Sequence, residues 1–121
     1  MSKLILVVED QEDNRRIMRD LLSSAGYEII EAVTGEEGVA AADTHRPDLI
    51  LMDIQLPGLD GYEATRQIKA NPELEHIPII VVTSYALSGD DVKAFEAGCN
   101  AYVSKPFSPR ELLAKIREYL S

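Results

Sequence analysis

Short unbroken apolar runs alternate along this chain with longer stretches in which apolar residues recur at helical spacing, the pattern of repeated βα units. The run Leu4-Ile5-Leu6-Val7-Val8 predicts a first strand and stops on the paired acids Glu9-Asp10. From Asn14 to Ala25, the residues Ile17, Met18, Leu21, Leu22 and Ala25 share one helical face, with Asp13 as the expected N-cap and Gly26 where helices end left-handed. Glu28 to Ala32 predicts a second, more polar strand. Thr34 with Glu37 forms a capping box that opens a helix through about Thr44.

The stretch from Pro47 to Pro57 centres the pattern. Leu49-Ile50-Leu51-Met52 is apolar on both faces, as a strand covered above and below must be, and it delivers one carboxylate, Asp53, before Pro57-Gly58 and Asp60-Gly61 force a loop. Asp60 with Glu63 caps a third helix through about Ala70. Pro78 to Thr83 is a fourth strand ending on the hydroxyl pair Thr83-Ser84, and Ser88-Gly89-Asp90-Asp91 opens a fourth helix that Gly98 stops. Ala101 to Ser104 predicts a short fifth strand followed by Lys105-Pro106. Ser108-Pro109-Arg110-Glu111 combines a capping box with proline at the first helical position, and Leu112, Leu113, Ile116, Tyr119 and Leu120 form the apolar face behind it.

Strand polarity suggests the sheet order. Strands one, three and four are apolar throughout and belong inside; two and five carry polar residues and belong at the edges. The expectation is an α/β fold, a five-stranded parallel sheet in the flavodoxin-like order 2-1-3-4-5 with helices on both faces. Its switch point lies between strands one and three, where such sheets hold their ligands.

Composition narrows the class. At 121 residues and 45% apolar content, one domain spanning residues 1–121 can bury roughly 65% of its unfolded surface without metal or disulfide staples. The lone Cys99 has no internal partner, which fits a reducing cytoplasm. The apolar start is too short for a signal peptide, and no run reaches membrane-spanning length. A net charge of −9 repels a phosphate backbone, so direct nucleic-acid binding is not expected.

The strand ends carry the chemistry. Glu9-Asp10, Asp53, Thr83 and Lys105 all fall at the C-terminal ends of parallel strands and so share one edge. Each alone reads as an ordinary solvated strand end; together they make a site. Three close carboxylates raise one another's pKa unless a cation intervenes, and all-oxygen donors favour Mg²⁺. Phosphoryl transfer needs this set: Asp53 as nucleophile, Asp10 and Asp53 on Mg²⁺, Glu9 orienting ligands or metal waters, Lys105 as counter-charge and Thr83 donating to a phosphoryl oxygen.

Glu9-Asp10, the stretch Asp53 to Gly61, Thr83-Ser84 and Lys105-Pro106 preceded by Tyr102 closely resemble the receiver domain of two-component response regulators, the CheY-like superfamily, over the entire chain. Pro47 to Pro57 and Lys93 to Pro106 look most like DivK-type single-domain regulators. The resemblance implies that Asp53 is the phosphoacceptor, supplied by a histidine kinase or histidine phosphotransfer protein. It implies Asp10 as a metal ligand, Glu9 as its acidic partner and the backbone carbonyl of Gln55 as a third ligand. Thr83 and Tyr102 correspond to the switch pair, and Lys105 to the phosphate-contacting lysine. A separate downstream protein is then expected to read the face of the fourth helix, fifth strand and fifth helix, including Lys93, Tyr102 and Arg110. A monomer or weak dimer is expected. Leu56 replaces the commoner methionine, and Gln55 and Tyr85 lie where the family tunes hydrolysis.

Two other readings compete. A haloacid-dehalogenase-like phosphatase also uses an aspartate nucleophile, Mg²⁺ and lysine, but wants an acid two residues on, where Gln55 stands. A flavodoxin-like cofactor binder wants a hydroxyl-rich loop after the first strand, where Gln11-Glu12-Asp13 is acidic instead. Gly35-Glu36-Glu37-Gly38 lacks the spacing and lysine of a phosphate loop and reads as a helix start. His45 and His76 read as surface residues.

Overall fold

The computed structural model describes residues 2–83, 90–105 and 108–120. Ser84, Tyr85, the Ser88-Gly89 helix opening, Pro106 and Ser121 lie outside the described residues. Strands β1 (Leu4–Val8), β2 (Glu28–Ala32), β3 (Leu49–Asp53), β4 (Ile79–Thr83) and β5 (Ala101–Ser104) alternate with helices α1 (Glu12–Ser24), α2 (Gly35–His45), α3 (Gly61–Ala70), α4 (Asp90–Ala97) and α5 (Pro109–Leu120). The strands form one parallel sheet in the order β2-β1-β3-β4-β5, with the two polar strands at its edges. Registers such as Val8↔Met52, Asp53↔Val82 and Thr83↔Ser104 bring the strand ends level at one edge.

Alternation along the strands divides the core between two faces. Ile5, Val7, Leu49, Leu51, Ile80 and Val82 pack against Met18 and Leu22 of α1 and Leu112 and Ile116 of α5. Leu6, Val8, Ile50, Met52, Ile79 and Val81 pack against Ala42 of α2, Ala64 and Ile68 of α3 and Ala94 of α4. Both faces are covered, which is why the inner strands tolerate no polar residue before their last position. No helix among the described residues is long and apolar enough to cross a membrane.

Local chemistry fixes several helix ends. Glu37 N–H donates to the Thr34 hydroxyl (3.1 Å), Glu63 N–H to Asp60 (2.9 Å) and Glu111 N–H to Ser108 (3.0 Å), three side-chain caps that the sequence predicts. Gly35 to Gly38 is the first turn of α2, as read. After α1, Gly26 takes φ 91° while its N–H and that of Tyr27 bond back to Ser23 and Leu22 carbonyls, closing the helix in a Schellman arrangement.

The start of α1 is a correction. The helix begins at Glu12 with Gln11 as its N-cap, and no side chain caps it; Asp13 is already helical. The apolar period begins only at Ile17, so the polar first turn carried no periodic signal. Glu12 and Asp13 favour that turn through the positive helix N-terminus instead. The apolar face also shifts: Met18 and Leu22 are buried, Leu21 is half-buried, while Ile17 is 58% exposed and Ala25, beyond the helix end, is exposed.

Candidate functional site

Glu9 stays at the sheet edge because its N–H continues the β1–β2 ladder onto the Ala32 carbonyl, 3.0 Å away. It is only 1% exposed. A carboxylate so buried needs partners on both oxygens, and it has them: Lys105 Nζ donates to Oε1 at 2.7 Å and the Gln11 N–H donates to Oε2 at 3.3 Å. Burial pushes its pKa up, but hydrogen bonding with Asp53 and Lys105 prevails and holds it below the usual range.

Asp53 closes β3 and is 7% exposed. Lys105 Nζ lies 3.7 Å from its Oδ2, too long for a hydrogen bond but close enough for charge attraction. Burial first, and then hydrogen bonding and repulsion from Glu9, push the Asp53 pKa up to about 7; Lys105 and the Gln55 N–H oppose this without cancelling it. Asp10 is exposed, and loss of hydration followed by Glu9 raises its pKa as well. One oxygen from each of Glu9, Asp10 and Asp53 lies within 4.8 Å of the others. Three carboxylates against one lysine leave a strongly anionic centre that favours a divalent cation or a shared proton.

The cavity over these groups holds about 170 Å³ and is lined by Glu9, Asp10, Gln11, Asn14, Asp53, Gln55 and Lys105. That volume suits a hydrated ion and a phosphoryl group, not a nucleotide or flavin. Lys105 is placed by its backbone, whose N–H donates to the Thr83 carbonyl at 2.7 Å and extends the β4–β5 ladder. Thr83 is fully buried at the end of β4 and is not among the residues that line the cavity. Tyr102 is half-buried against the α2–α3–α4 side of the core, the face to which alternation along β4 also assigns Thr83. Glu9, Asp10, Asp53, Gln55 and Lys105 are therefore brought together at the cavity, whereas Tyr102 sits two residues back along β5. Leu56 is buried in the core. His45 and His76 are exposed and line no part of the cavity.

No sequence spacing marks Gln11 and Asn14 as cavity walls, because that role follows from the early start of α1. The sequence pattern marks Gly61 only as a loop former. A Cβ there would lie 2.1 Å from the Asp53 carbonyl oxygen and 2.8 Å from Ile54 Cα, both main chain, so nothing larger than glycine lets α3 start this close to Asp53. Gly61→Ala is accordingly expected to cost about 3 kcal/mol by overpacking. A urea midpoint unchanged from the parent would contradict that close approach.

The model of the response regulator receiver domain matches residues 5–117. The polar-differentiation response regulator DivK of Brucella anthropi is 47% identical over 120 residues, an alignment covering 99% of this chain and 98% of that protein. DivK of Brucella ovis is 46% identical over the same length and coverage. Among solved structures, the receiver domain of a Pseudomonas aeruginosa sensor histidine kinase, with a magnesium ion coordinated in its active-site cleft, superposes with TM-score 0.93 at 39% identity, covering 99% of this chain and 98% of that one. The chemotaxis protein CheY4 of Vibrio cholerae superposes with TM-score 0.92 at 26% identity, covering 98% and 99%.

Proposed function

The chain belongs to the response regulator receiver domain family, and from that premise we propose that it is a phosphorylation switch in a two-component phosphorelay, accepting a phosphoryl group on Asp53. The observation that carries this reading is the crowding of Asp53 with two other carboxylates within 4.8 Å beside Lys105. Such a centre is poorly stable as a bare anion cluster and well suited to neutralisation by a metal and an incoming phosphoryl group.

Asp10 and Asp53 would hold Mg²⁺ together with the backbone carbonyl of Gln55, with Glu9 acting through water or by orientation. When bound, Mg²⁺ supplies positive charge to the phosphoryl oxygens. Asp53 Oδ then attacks phosphorus of a phosphohistidine on a histidine kinase or phosphotransfer protein. The new O–P bond replaces the P–N bond, and the imidazole leaves with the bonding pair and takes up a proton. Lys105, released in part from Glu9, moves its charge towards the phosphoryl oxygens, while the buried Thr83 hydroxyl donates to one of them. Residues 1–121 serve as a single cytoplasmic receiver domain, monomeric or weakly dimeric, whose α4–β5–α5 face is read by a separate protein.

Incubation with a small phosphodonor and Mg²⁺ tests this. One phosphoryl group should add in intact-mass spectra, labile to base and hydroxylamine, and Asp10→Ala should abolish both Mg²⁺ binding and labelling while remaining folded, since Asp10 is exposed. Labelling of Asp10→Ala at the parent's rate would place the metal elsewhere.

The Thr83–Tyr102 pair carries the signal outward in this reading. Phosphorylation adds charge and acceptor oxygens at the end of β3, and a partner favours the active state only through a different affinity for it. Thr83→Ala is expected to accept phosphate at Asp53 yet lose most of the phosphorylation-dependent gain in partner affinity. Calorimetry with and without beryllofluoride checks this, and an undiminished gain in the variant refutes the route.

A further inference from the structure

Arg15 reaches from the second turn of α1 to the main chain of the acidic turn, its guanidinium donating to the Glu9 carbonyl at 3.0 Å. Every other handle on Glu9 is already taken: its N–H by Ala32, its carboxylate by Lys105 and Gln11. The carbonyl bond therefore sets the plane of the Glu9–Asp10 peptide. Because that plane is rigid, fixing its oxygen also fixes the direction in which Asp10 leaves the chain.

Arg15 is itself held. Its Nε lies 3.3 Å from Glu31 Oε1 on β2, and Arg19, one turn further along α1, grips the same carboxylate with Nε at 2.6 Å and a second guanidinium nitrogen at 2.9 Å. The Arg15 side chain is only 15% exposed, so water competes weakly for its donors. A planar guanidinium can bridge two acceptors in different directions; a lysine ammonium at the end of a flexible stem cannot hold both with one geometry.

We propose that Arg15, oriented by Glu31 and Arg19, is a positioning residue for the metal site: it pins the Glu9 carbonyl and thereby presets the approach of Asp10 to Asp53. The inference rests on the reading of Asp10 and Asp53 as Mg²⁺ ligands. It adds that the affinity of the site is set from the α1–β2 surface, through a residue that touches neither metal nor phosphate.

Mg²⁺ titration followed by amide shifts of the whole chain tests it, with Arg15→Met, Arg15→Lys, Glu31→Gln and, as a control on an unrelated exposed ion pair of α3, Arg66→Met. Arg15→Met should weaken Mg²⁺ binding about tenfold, as loss of a partner behind a metal ligand does, with Arg15→Lys and Glu31→Gln weakened less and Arg66→Met unchanged. The Gln11 amide of the metal-free protein should shift in Arg15→Met, and its phosphorylation rate should return towards the parent's at saturating Mg²⁺. Arg15→Met and Glu31→Gln with lowered melting temperature but parental Mg²⁺ affinity would show a purely structural role and overturn the proposal. A parent chain that gives no Mg²⁺ response would overturn the metal-site reading, and the positioning role with it, a result distinct from variants that bind as the parent does.

Discussion

An Asp53→Asn variant is expected to accept no phosphoryl group and yet to melt higher than the parent chain in metal-free buffer at pH 8. Its amide lacks the nucleophilic oxygen, so labelling should fall to background. Its stability should rise because Asp53 pays for its place. The carboxyl is buried and faces Glu9, and its pKa stands at about 7 against an unfolded value near 3.8. A raised acid binds its proton more tightly in the folded chain, so stability is greatest below the unfolded value and falls as pH climbs from about 4 towards 7. Above that window the parent carries the whole penalty. At about 1.4 kcal/mol per pH unit, with part of the cost relieved by solvent in the open cavity, Asn should recover about 2 kcal/mol, or roughly 5–10 °C in Tm. Lys105 loses little by the change, since Glu9 remains 2.7 Å from its ammonium. The difference between variant and parent should shrink to nothing near pH 4. An equal Tm gap at pH 4 and pH 8 would show that Asp53 is not the group responsible.

Removing Lys105 should have the opposite effect on stability. Glu9 is 1% exposed and depends on that ammonium for its one charged donor, so Lys105→Met leaves a buried carboxylate without a counter-charge at Oε1. Breaking a buried pair from one side costs about 3–5 kcal/mol, and the partial access of solvent to Lys105 places this one at the lower end, about 3 kcal/mol. Phosphoryl transfer should fall as well, because no ammonium is left to meet the phosphoryl oxygens. The stability loss should ease as pH drops and Glu9 takes up a proton. In the double variant Glu9→Gln with Lys105→Met it should largely vanish, which a melting cycle over the four proteins measures. A single-variant loss that the second substitution leaves untouched would mean that Lys105 supports the fold through something other than Glu9.

Those two energetic roles mark what could be read from residues alone and what could not. The sheet order followed from polarity: Glu28 and Glu31 in β2, and Tyr102 and Ser104 in β5, cannot sit between two helix layers, and both strands are at the edges. Caps at Thr34, Asp60 and Ser108 followed from side chains whose hydrogen-bonding reach is short and local. Ile17 failed because a periodic apolar stripe does not distinguish its centre from its margin; Met18 and Leu22 face the sheet, and Ile17, one residue away, turns out to solvent. Asp13 failed because a polar first turn carries no period. In the site, the convergence of Glu9, Asp10, Asp53 and Lys105 follows from parallel strands of similar length ending together. The pairing of Lys105 with Glu9 rather than Asp53 at hydrogen-bond distance does not, since it depends on side-chain burial and on Gln11 sealing the other oxygen. The contact of Gly61 with the Asp53 carbonyl and the reach of Arg15 to Glu9 are likewise three-dimensional, and no spacing rule announces them.

The phosphoryl group is expected on Asp53, and hydride trapping reads its position directly. Borohydride reduction of the phosphorylated chain converts an aspartyl phosphate to homoserine, and peptide mass mapping then locates it. Homoserine is expected at position 53 and nowhere else, in an amount that tracks the phosphorylated fraction and requires Mg²⁺. Homoserine at Asp10 or at any other position, or undiminished labelling of Asp53→Asn, would contradict it.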